Sequence, residues 1–133
     1  MAEDTREWYE KLLALQLRAN PAIWKMLEQH GVGEHTPLRL AFIYLAPSES
    51  EAHRLTAFLQ AETDYDVQAR ERPTGFFEKT EWLVLGATQP TAVDLETINA
   101  WVEWMVAAGA AEGPCAFDGW TAELPDELVS HDE

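Results

Sequence analysis

Residues 38–45 read LRLAFIYL, and seven of these eight residues are apolar. The run includes the β-branched Ile43 and the aromatic Phe42 and Tyr44, which favour strands over helices. It is shorter than an ordinary helix, and an apolar run of this length is typical of a strand covered by neighbours. We therefore predict a buried central strand over these residues.

The residues after this strand predict a helix and then two further strands. Ser48, followed three residues later by Glu51, is a capping-box pattern and predicts the start of a helix. The predicted inward residues of this helix are Ala52, Leu55, Phe58 and Leu59. Residues 64–72 alternate between apolar and polar side chains, which indicates a half-buried strand. Pro-Thr-Gly at 73–75 ends that strand, and residues 81–88 predict another.

The last part of the pattern is a long helix and a final strand. Residues 90–109 predict the helix, with Gly109 placed to end it, and residues 115–124 predict the strand. The inward stripe of the helix is Leu95, Ile98, Val102 and Met105. The order from residue 38 is thus β-α-β-β-α-β. With right-handed crossovers this order predicts an α+β fold of the ferredoxin-like kind, a four-stranded antiparallel sheet with two helices on one face.

The chain begins with apolar residues at helical spacing, which predict an added N-terminal helical segment. Residues 4–18 read as one amphipathic helix, and Asn20-Pro21 reads as the N-cap and first residue of a second, shorter helix. We predict three parts within one compact domain. These are an N-terminal helical extension (1–36), a ferredoxin-like domain (37–124) and an acidic tail (125–133).

The charge is strongly negative and unevenly placed. The net charge is −15, from 24 acidic and nine basic residues, and the last basic residue is Lys79. Residues 80–133 contain eleven carboxylates and no Lys or Arg. Such a chain repels phosphate backbones, so we expect no direct binding to nucleic acid. The acidic half is interpreted either as a solvated surface or as a docking face for a basic protein segment.

The same composition favours a cytoplasmic protein. The N-terminus is acidic where a signal peptide is basic, and no apolar run reaches the length of a membrane span. Cys115 is the single cysteine, which suits a reducing compartment and is expected to be a small buried hydrophobe.

The residue types that carry chemistry do not cluster in the sequence. The histidines, at 30, 35, 53 and 131, have no metal-ligand spacing to one another or to Cys115. We therefore predict no catalytic residue, no cofactor and no metal site. Arg70, Arg72 and Lys79 lie near Phe76 and Phe77, which is compatible with a nucleic-acid stacking platform. Interleaved glutamates favour instead a charge-balanced hairpin with both rings folded onto the sheet.

Two features are candidates for partner binding. Trp104 follows Glu103 on the long helix and is either an exposed anchor ringed by acids or a ring packed on the N-terminal helices. Asp118-Gly119-Trp120 lies inside the last predicted strand. A glycine there indicates a bulge or a close backbone approach, and such an irregularity would aim the residues on either side of it. We expect Trp120 to be structural at least in part.

The order of these elements, together with several short motifs, resembles one family. CAFDGW at 115–120 resembles the aromatic-Asp-Gly-Trp ending of the RraB-like family, the regulators of ribonuclease E activity. LAFIYL at 40–45 looks like that family's opening strand. An Ala-bearing helix, a strand with Tyr65-Asp66-Val67 and a strand with Trp82 follow in the family's order. The resemblance covers residues 38–124.

The resemblance implies a ferredoxin-like α+β sandwich that acts without catalysis. It implies a protein inhibitor of ribonuclease E, which founding members bind through the enzyme's disordered, Arg-rich scaffold region. The partner is then expected to be ribonuclease E or another basic, Arg-rich segment, and the chain a monomer or homodimer. The alternative is a small ferredoxin-like enzyme or ligand sensor, a monooxygenase-like dimer with a pocket between sheet and helices.

Overall fold

Three helices and five strands make up the parts of the chain that the computed structural model describes, residues 2–73 and 80–124. The helices are α1 (Ala2–Gln29), α2 (Glu49–Glu62) and α3 (Leu95–Glu112). The strands are β1 (Pro37–Ala46), β2 (Asp66–Pro73), β3 (Thr80–Ala87), β4 (Thr91–Ala92) and β5 (Ala116–Glu123). The described strand pairs are all antiparallel, which confirms the predicted α+β class.

β1 is the central strand, as its apolar run predicts. It pairs with β3 on one edge and with β5 on the other, and β2 pairs with β3. The long strands are therefore ordered β2-β3-β1-β5, with α2 joining β1 to β2 and α3 preceding β5. The β-α-β-β-α-β order is present. β4 was not predicted, and it pairs with Pro37 and Leu38 just beyond the end of β3.

Alternate residues of β1 point into a core between the sheet and the helices. Leu38, Leu40, Phe42 and Tyr44 are buried. The Tyr44 hydroxyl donates a hydrogen bond of 2.7 Å to the Met105 carbonyl of α3. Trp82, which points to the same face as Tyr44, contacts His53 of α2. Both α2 and α3 thus cover the same face of the sheet.

The N-terminal segment is one helix, which corrects the prediction of two. Asn20 does not cap a second helix, because the helix runs through Pro21 to Gln29. Proline removes one helical hydrogen bond, and Pro21 itself is exposed. Asn20 before the proline and Trp24 and Leu27 after it are buried, so the inward face of the helix continues across Pro21.

The boundaries of α3 also differ from the prediction. The helix begins at Leu95 because Asp94 is its N-cap, and the Asp94 side chain accepts a hydrogen bond of 2.8 Å from the Thr97 N–H. Gly109 lies inside the helix, which ends at Glu112 with Gly113 as its C-cap.

The start of α2 was predicted correctly, but the hydrogen bonds of its cap differ from those of a capping box. Ser48 is the N-cap, but its hydroxyl bonds the Glu51 carboxylate and not a backbone N–H. Hydrogen bonding to Ser48 lowers the pKa of Glu51.

The second face of the sheet carries the remaining β1 side chains. Arg39, Ala41, Ile43 and Leu45 are half-buried there. Arg39 bridges the two outer strands, since its guanidinium lies 2.8 Å from Asp66 of β2 and 3.2 Å from Glu123 of β5. The described helices include none that is both long and apolar enough to cross a membrane.

Candidate functional site

The Asp118-Gly119 segment forms the irregularity predicted for β5. Ile43 pairs with Gly119 and Tyr44 pairs with Phe117, so Asp118 is an extra residue in a β-bulge. Gly119 has a φ of 132°, a backbone conformation that side chains with a Cβ rarely adopt. A Cβ built at Gly119 meets nothing within 4 Å. The glycine is therefore required by the backbone conformation and not by a lack of space.

The bulge borders a hollow on the second face of the sheet. This hollow of about 310 Å³ is lined by Ala41, Ile43, Gly119, Thr121 and the exposed Asp118, with Phe42 and Trp120 at its base. A larger hollow of about 550 Å³ shares Ala41 with it and is flanked by the Arg39, Asp66 and Glu123 cluster. The surface at Asp118 is thus concave, with a carboxylate at its rim.

Trp120 points the other way, into the core. It is buried, and its indole N–H donates a hydrogen bond of 2.9 Å to the Asn20 side-chain oxygen. The Asn20 amide in turn donates to the Asn99 side-chain oxygen at 2.9 Å. This chain of side chains joins β5, α1 and α3. The expectation that Trp120 is structural in part is in accord with this position.

Trp104 and Glu103 lie on the outer surface of α3. Trp104 is 41% exposed and stacks on Phe58 of α2, with ring centroids 6.1 Å apart and planes 23° apart. Ala100 and Glu103 are exposed beside it. Trp104 is thus partly exposed and packs on Phe58 of α2. Trp101, three residues earlier, packs inward on Phe117 and Trp120.

The five candidate partner-binding residues therefore fall in three places. Asp118 and Gly119 are on the second face of the sheet, Trp120 is in the core, and Glu103 and Trp104 are on the helical surface. The sequence interpretation missed Phe58 as the stacking partner of Trp104 and Asn20 as the centre of the buried network. The available signal for Asn20 was its place among the inward positions of α1, between Leu17 and Trp24.

Among the residues weighed for catalysis, Cys115 and three of the four histidines lie in the described part of the chain. Cys115 is buried, its thiol lies 3.8 Å from the Glu51 carbonyl, and burial raises its pKa to about 11. A thiol of this kind is a poor nucleophile at neutral pH. Within residues 2–73 and 80–124, no three His, Cys, Asp or Glu side chains come together as metal ligands.

Several aromatic side chains contact one another between the sheet and the helices. Phe42 contacts Tyr44, Tyr65 and Trp101, and Phe117 contacts Tyr44 and Trp101. The Trp101 indole N–H donates a hydrogen bond of 3.0 Å to the Tyr65 hydroxyl. The monooxygenase-like alternative places its ligand in this layer, so these contacts do not favour it.

The hairpin that was predicted to be charge-balanced, with a stacking platform as the alternative, lies partly outside the described residues, which exclude Phe76, Phe77 and Lys79. In the described part of that hairpin, Arg72 of β2 forms an ion pair with Glu81 of β3. This pair is of the kind expected for a charge-balanced hairpin.

The chain was compared with known protein families and with curated proteins. Residues 17–121 match the model of the RraB family, regulator of ribonuclease activity B. The chain belongs to the RraB family. A comparison with curated proteins finds no match.

The RraB match extends beyond the resemblance drawn from motifs. It begins at residue 17, inside α1, whereas the motifs placed the start of the similarity at residue 38. The matched range includes Asn20 and Asn99 together with the bulge and Trp120. The second half of α1 is thus part of the RraB unit, as its hydrogen bonds to α3 and β5 indicate.

Proposed function

We propose that this protein regulates ribonuclease E by binding to it, without catalysing a reaction itself. The observation that carries the proposal is the RraB family match over residues 17–121. The strand order β2-β3-β1-β5 with two connecting helices supports a ferredoxin-like sandwich, the fold expected of this family. Fold alone does not transfer function, so the proposal rests on the family and on the surfaces described next.

The outer surface of α3 is the main proposed contact. Trp104 offers an exposed ring, and Glu103 and Glu96 lie exposed on the same helix. An arginine stacks on a tryptophan ring and pairs with carboxylates, and it does both better than a lysine. This surface therefore suits a basic, Arg-rich segment of the enzyme.

The charge of the second half of the chain supports the same partner. Residues 80–124 contain seven carboxylates and no Lys or Arg. Asp118 adds one of them at the rim of the bulge hollow, and we assign it a secondary contact. Gly119 and Trp120 then act by shaping β5, and the contact residues are Glu103, Trp104 and Asp118.

The proposal includes a cytoplasmic site of action and no direct contact with RNA. A chain with a net charge of −15 is repelled by a polyanion, so inhibition has to come through the protein partner. Opposite charges attract over roughly 10 Å at 0.1 M salt. Raising the salt concentration should therefore slow association with the enzyme more than it speeds dissociation.

The test uses purified ribonuclease E and an RNA substrate. The wild-type protein should bind the enzyme and slow RNA cleavage, and it should not retard the RNA alone in a gel. Trp104→Ala should weaken binding roughly 30-fold, the loss typical of an aromatic anchor, and Glu103→Lys should weaken it further at low salt.

A matched charge reversal serves as control. Glu34→Lys changes an exposed carboxylate in the connection before β1, far along the chain from α3, and should leave inhibition nearly unchanged. Absence of binding to the enzyme at micromolar protein and low salt would remove the regulatory proposal. Equal losses for Glu34→Lys and Glu103→Lys would remove α3 as the contact.

A further inference from the structure

The large apolar side chains that remain exposed lie on two neighbouring helices. Within the described residues they are Leu15 (58% exposed) and Met26 (51%) on α1, and Trp104 (41%) on α3. α1 and α3 pack side by side and are joined by the Asn20–Asn99 hydrogen bond. Large apolar side chains that stay exposed on a soluble protein mark an interaction site when they form a continuous patch.

Between residues 11 and 26 the outer surface of α1 is basic, and one turn earlier Glu7 forms an ion pair of 3.4 Å with Lys11. Lys11, Arg18 and Lys25 are exposed, and residues 11–26 contain no carboxylate although the chain has 24. The three cations are seven residues apart, so they form one row with a spacing of about 10.5 Å along the helix. Beside this row runs an exposed apolar stripe at helical spacing, formed by Leu15, Ala19, Ala22 and Met26.

The outer surface of α3 has the same pattern with the opposite charge. Glu96 and Glu103 are exposed and are also seven residues apart. An apolar stripe runs beside them at the same spacing as the stripe on α1, formed by Ala100, Trp104, Ala107 and Ala111. α3 contains no Lys or Arg.

We propose that a second copy of this chain covers both surfaces, with α1 of each protomer packed on α3 of its partner. In a two-fold dimer each contact occurs twice, because the same two helices are presented by both copies. The rows of cations and carboxylates have equal spacing. Two ion pairs therefore form in each of the two α1–α3 contacts, and the apolar stripes of the two helices pack on each other. Pairing α1 with α1 is disfavoured, because it would place two rows of cations together.

The size of these surfaces predicts a weak dimer. Sixteen residues of helix span about 24 Å, and a helix is about 10 Å wide. Two helices from each protomer then bury about 1,000 Å² in all, at the low end of specific interfaces. Exposed ion pairs are screened by salt. The dimer is therefore a micromolar, salt-sensitive one, and it forms without the ribonuclease.

Sedimentation of the purified full chain, without any ribonuclease, tests this arrangement. The wild type should be dimeric at about 100 μM in low salt and monomeric in about 0.5 M salt. Arg18→Glu with Lys25→Glu should weaken the dimer at least tenfold, and so should Glu96→Lys with Glu103→Lys. An equimolar mixture of these two variants should restore the dimer, because each α1–α3 contact in the mixed pair again joins opposite charges.

Two controls make the outcome decisive. Arg70→Glu with Arg72→Glu reverses two exposed cations of β2 and should leave the dimer unchanged. Leu15→Ser with Met26→Ser should weaken the dimer without altering charge, and thermal melts establish that each variant is folded. A wild type that stays monomeric at low salt would overturn the proposal. So would a dimer that the paired charge reversals leave intact.

Discussion

Asn20 shows how one polar residue can hold three elements together. Its side chain is fully buried, it accepts from Trp120 on β5, and it donates to Asn99 on α3. A buried amide whose hydrogen bonds were unmade would be costly, so this network also selects how α1 docks. The bulge at Asp118 contributes by setting the register from which Trp120 enters the core.

The first prediction follows from this network. Trp120→Ala should lower the free energy of unfolding by about 3–5 kcal/mol, the cost of truncating a buried tryptophan. Trp120→Phe keeps much of the packing but removes the donor to Asn20, and should cost about 1–3 kcal/mol. Urea denaturation measures both values. An unchanged midpoint for Trp120→Ala, with lost binding to the ribonuclease, would instead make Trp120 a contact residue.

Gly109 is the second residue whose role depends on close packing. It lies within α3, where alanine is favoured over glycine by about 1 kcal/mol. A Cβ there would lie 2.6 Å from both the Tyr44 ring and the Cys115 carbonyl oxygen. The carbonyl belongs to the backbone and cannot swing away as a flexible side chain does.

Gly109→Ala should therefore destabilise the protein by about 1–2 kcal/mol, against the helix preference. Gly33→Ala is the matched control, because a Cβ at Gly33 meets nothing within 4 Å. Thermal or urea denaturation should show the control to be neutral or slightly stabilised. Equal stability of the two variants would contradict the packing role of Gly109.

At the scale of the element, the beginning of α3 is fixed by Asp94. Hydrogen bonds from Thr97 lower the pKa of the Asp94 carboxyl below its usual range. A carboxyl whose pKa is lower in the folded state stabilises the fold above its unfolded pKa of about 3.9. That contribution is lost as the pH falls through the lower, folded pKa.

The Asp94→Asn variant keeps a capping side chain but removes its charge. Asparagine still caps the helix but does not titrate in this range, so the variant should lack the Asp94 component of acid destabilisation. The stability difference between wild type and variant should be constant near neutral pH and should shrink below about pH 4. Asp94→Ala should be less stable than both at pH 7. A difference that does not change with pH would show that the charge of Asp94 contributes nothing.

The elements differ in how well the sequence predicts them. The period of two in β2 and the apolar run of β1 are local signals, and both strands were placed within two residues. Pro21 is also a local signal, but α1 is continuous through it, with buried residues both before and after the proline. The bulge was predicted because only glycine suits its backbone. The separation of Asp118 from Trp104 was not predicted, because it depends on which sheet face each element covers.

At the scale of the whole molecule, residues 11–26 of α1 and all of α3 carry opposite charges. Lys11, Arg18 and Lys25 line α1, whereas α3 and the rest of the second half of the described chain carry only carboxylates. An Arg-rich segment of the ribonuclease and the α1 helix of a second copy would offer α3 similar chemical groups. Each presents cations to Glu103 and an apolar or planar group to Trp104.

The two proposals therefore predict competition for one surface. A short Arg-rich peptide, added to the wild-type protein at low salt, should convert dimer to monomer as it binds α3. Sedimentation of the protein at increasing peptide concentration measures this directly, and an equally charged Lys-rich peptide should be less effective, because lysine stacks less well on Trp104. The peptide should bind Trp104→Ala more weakly, while binding to the Glu34→Lys control should resemble the wild type.

If the peptide binds and the dimer persists, the ribonuclease contact and the dimer contact lie on different surfaces. The basic segment would then bind at Asp118 and the bulge hollow, because the dimer leaves that surface uncovered.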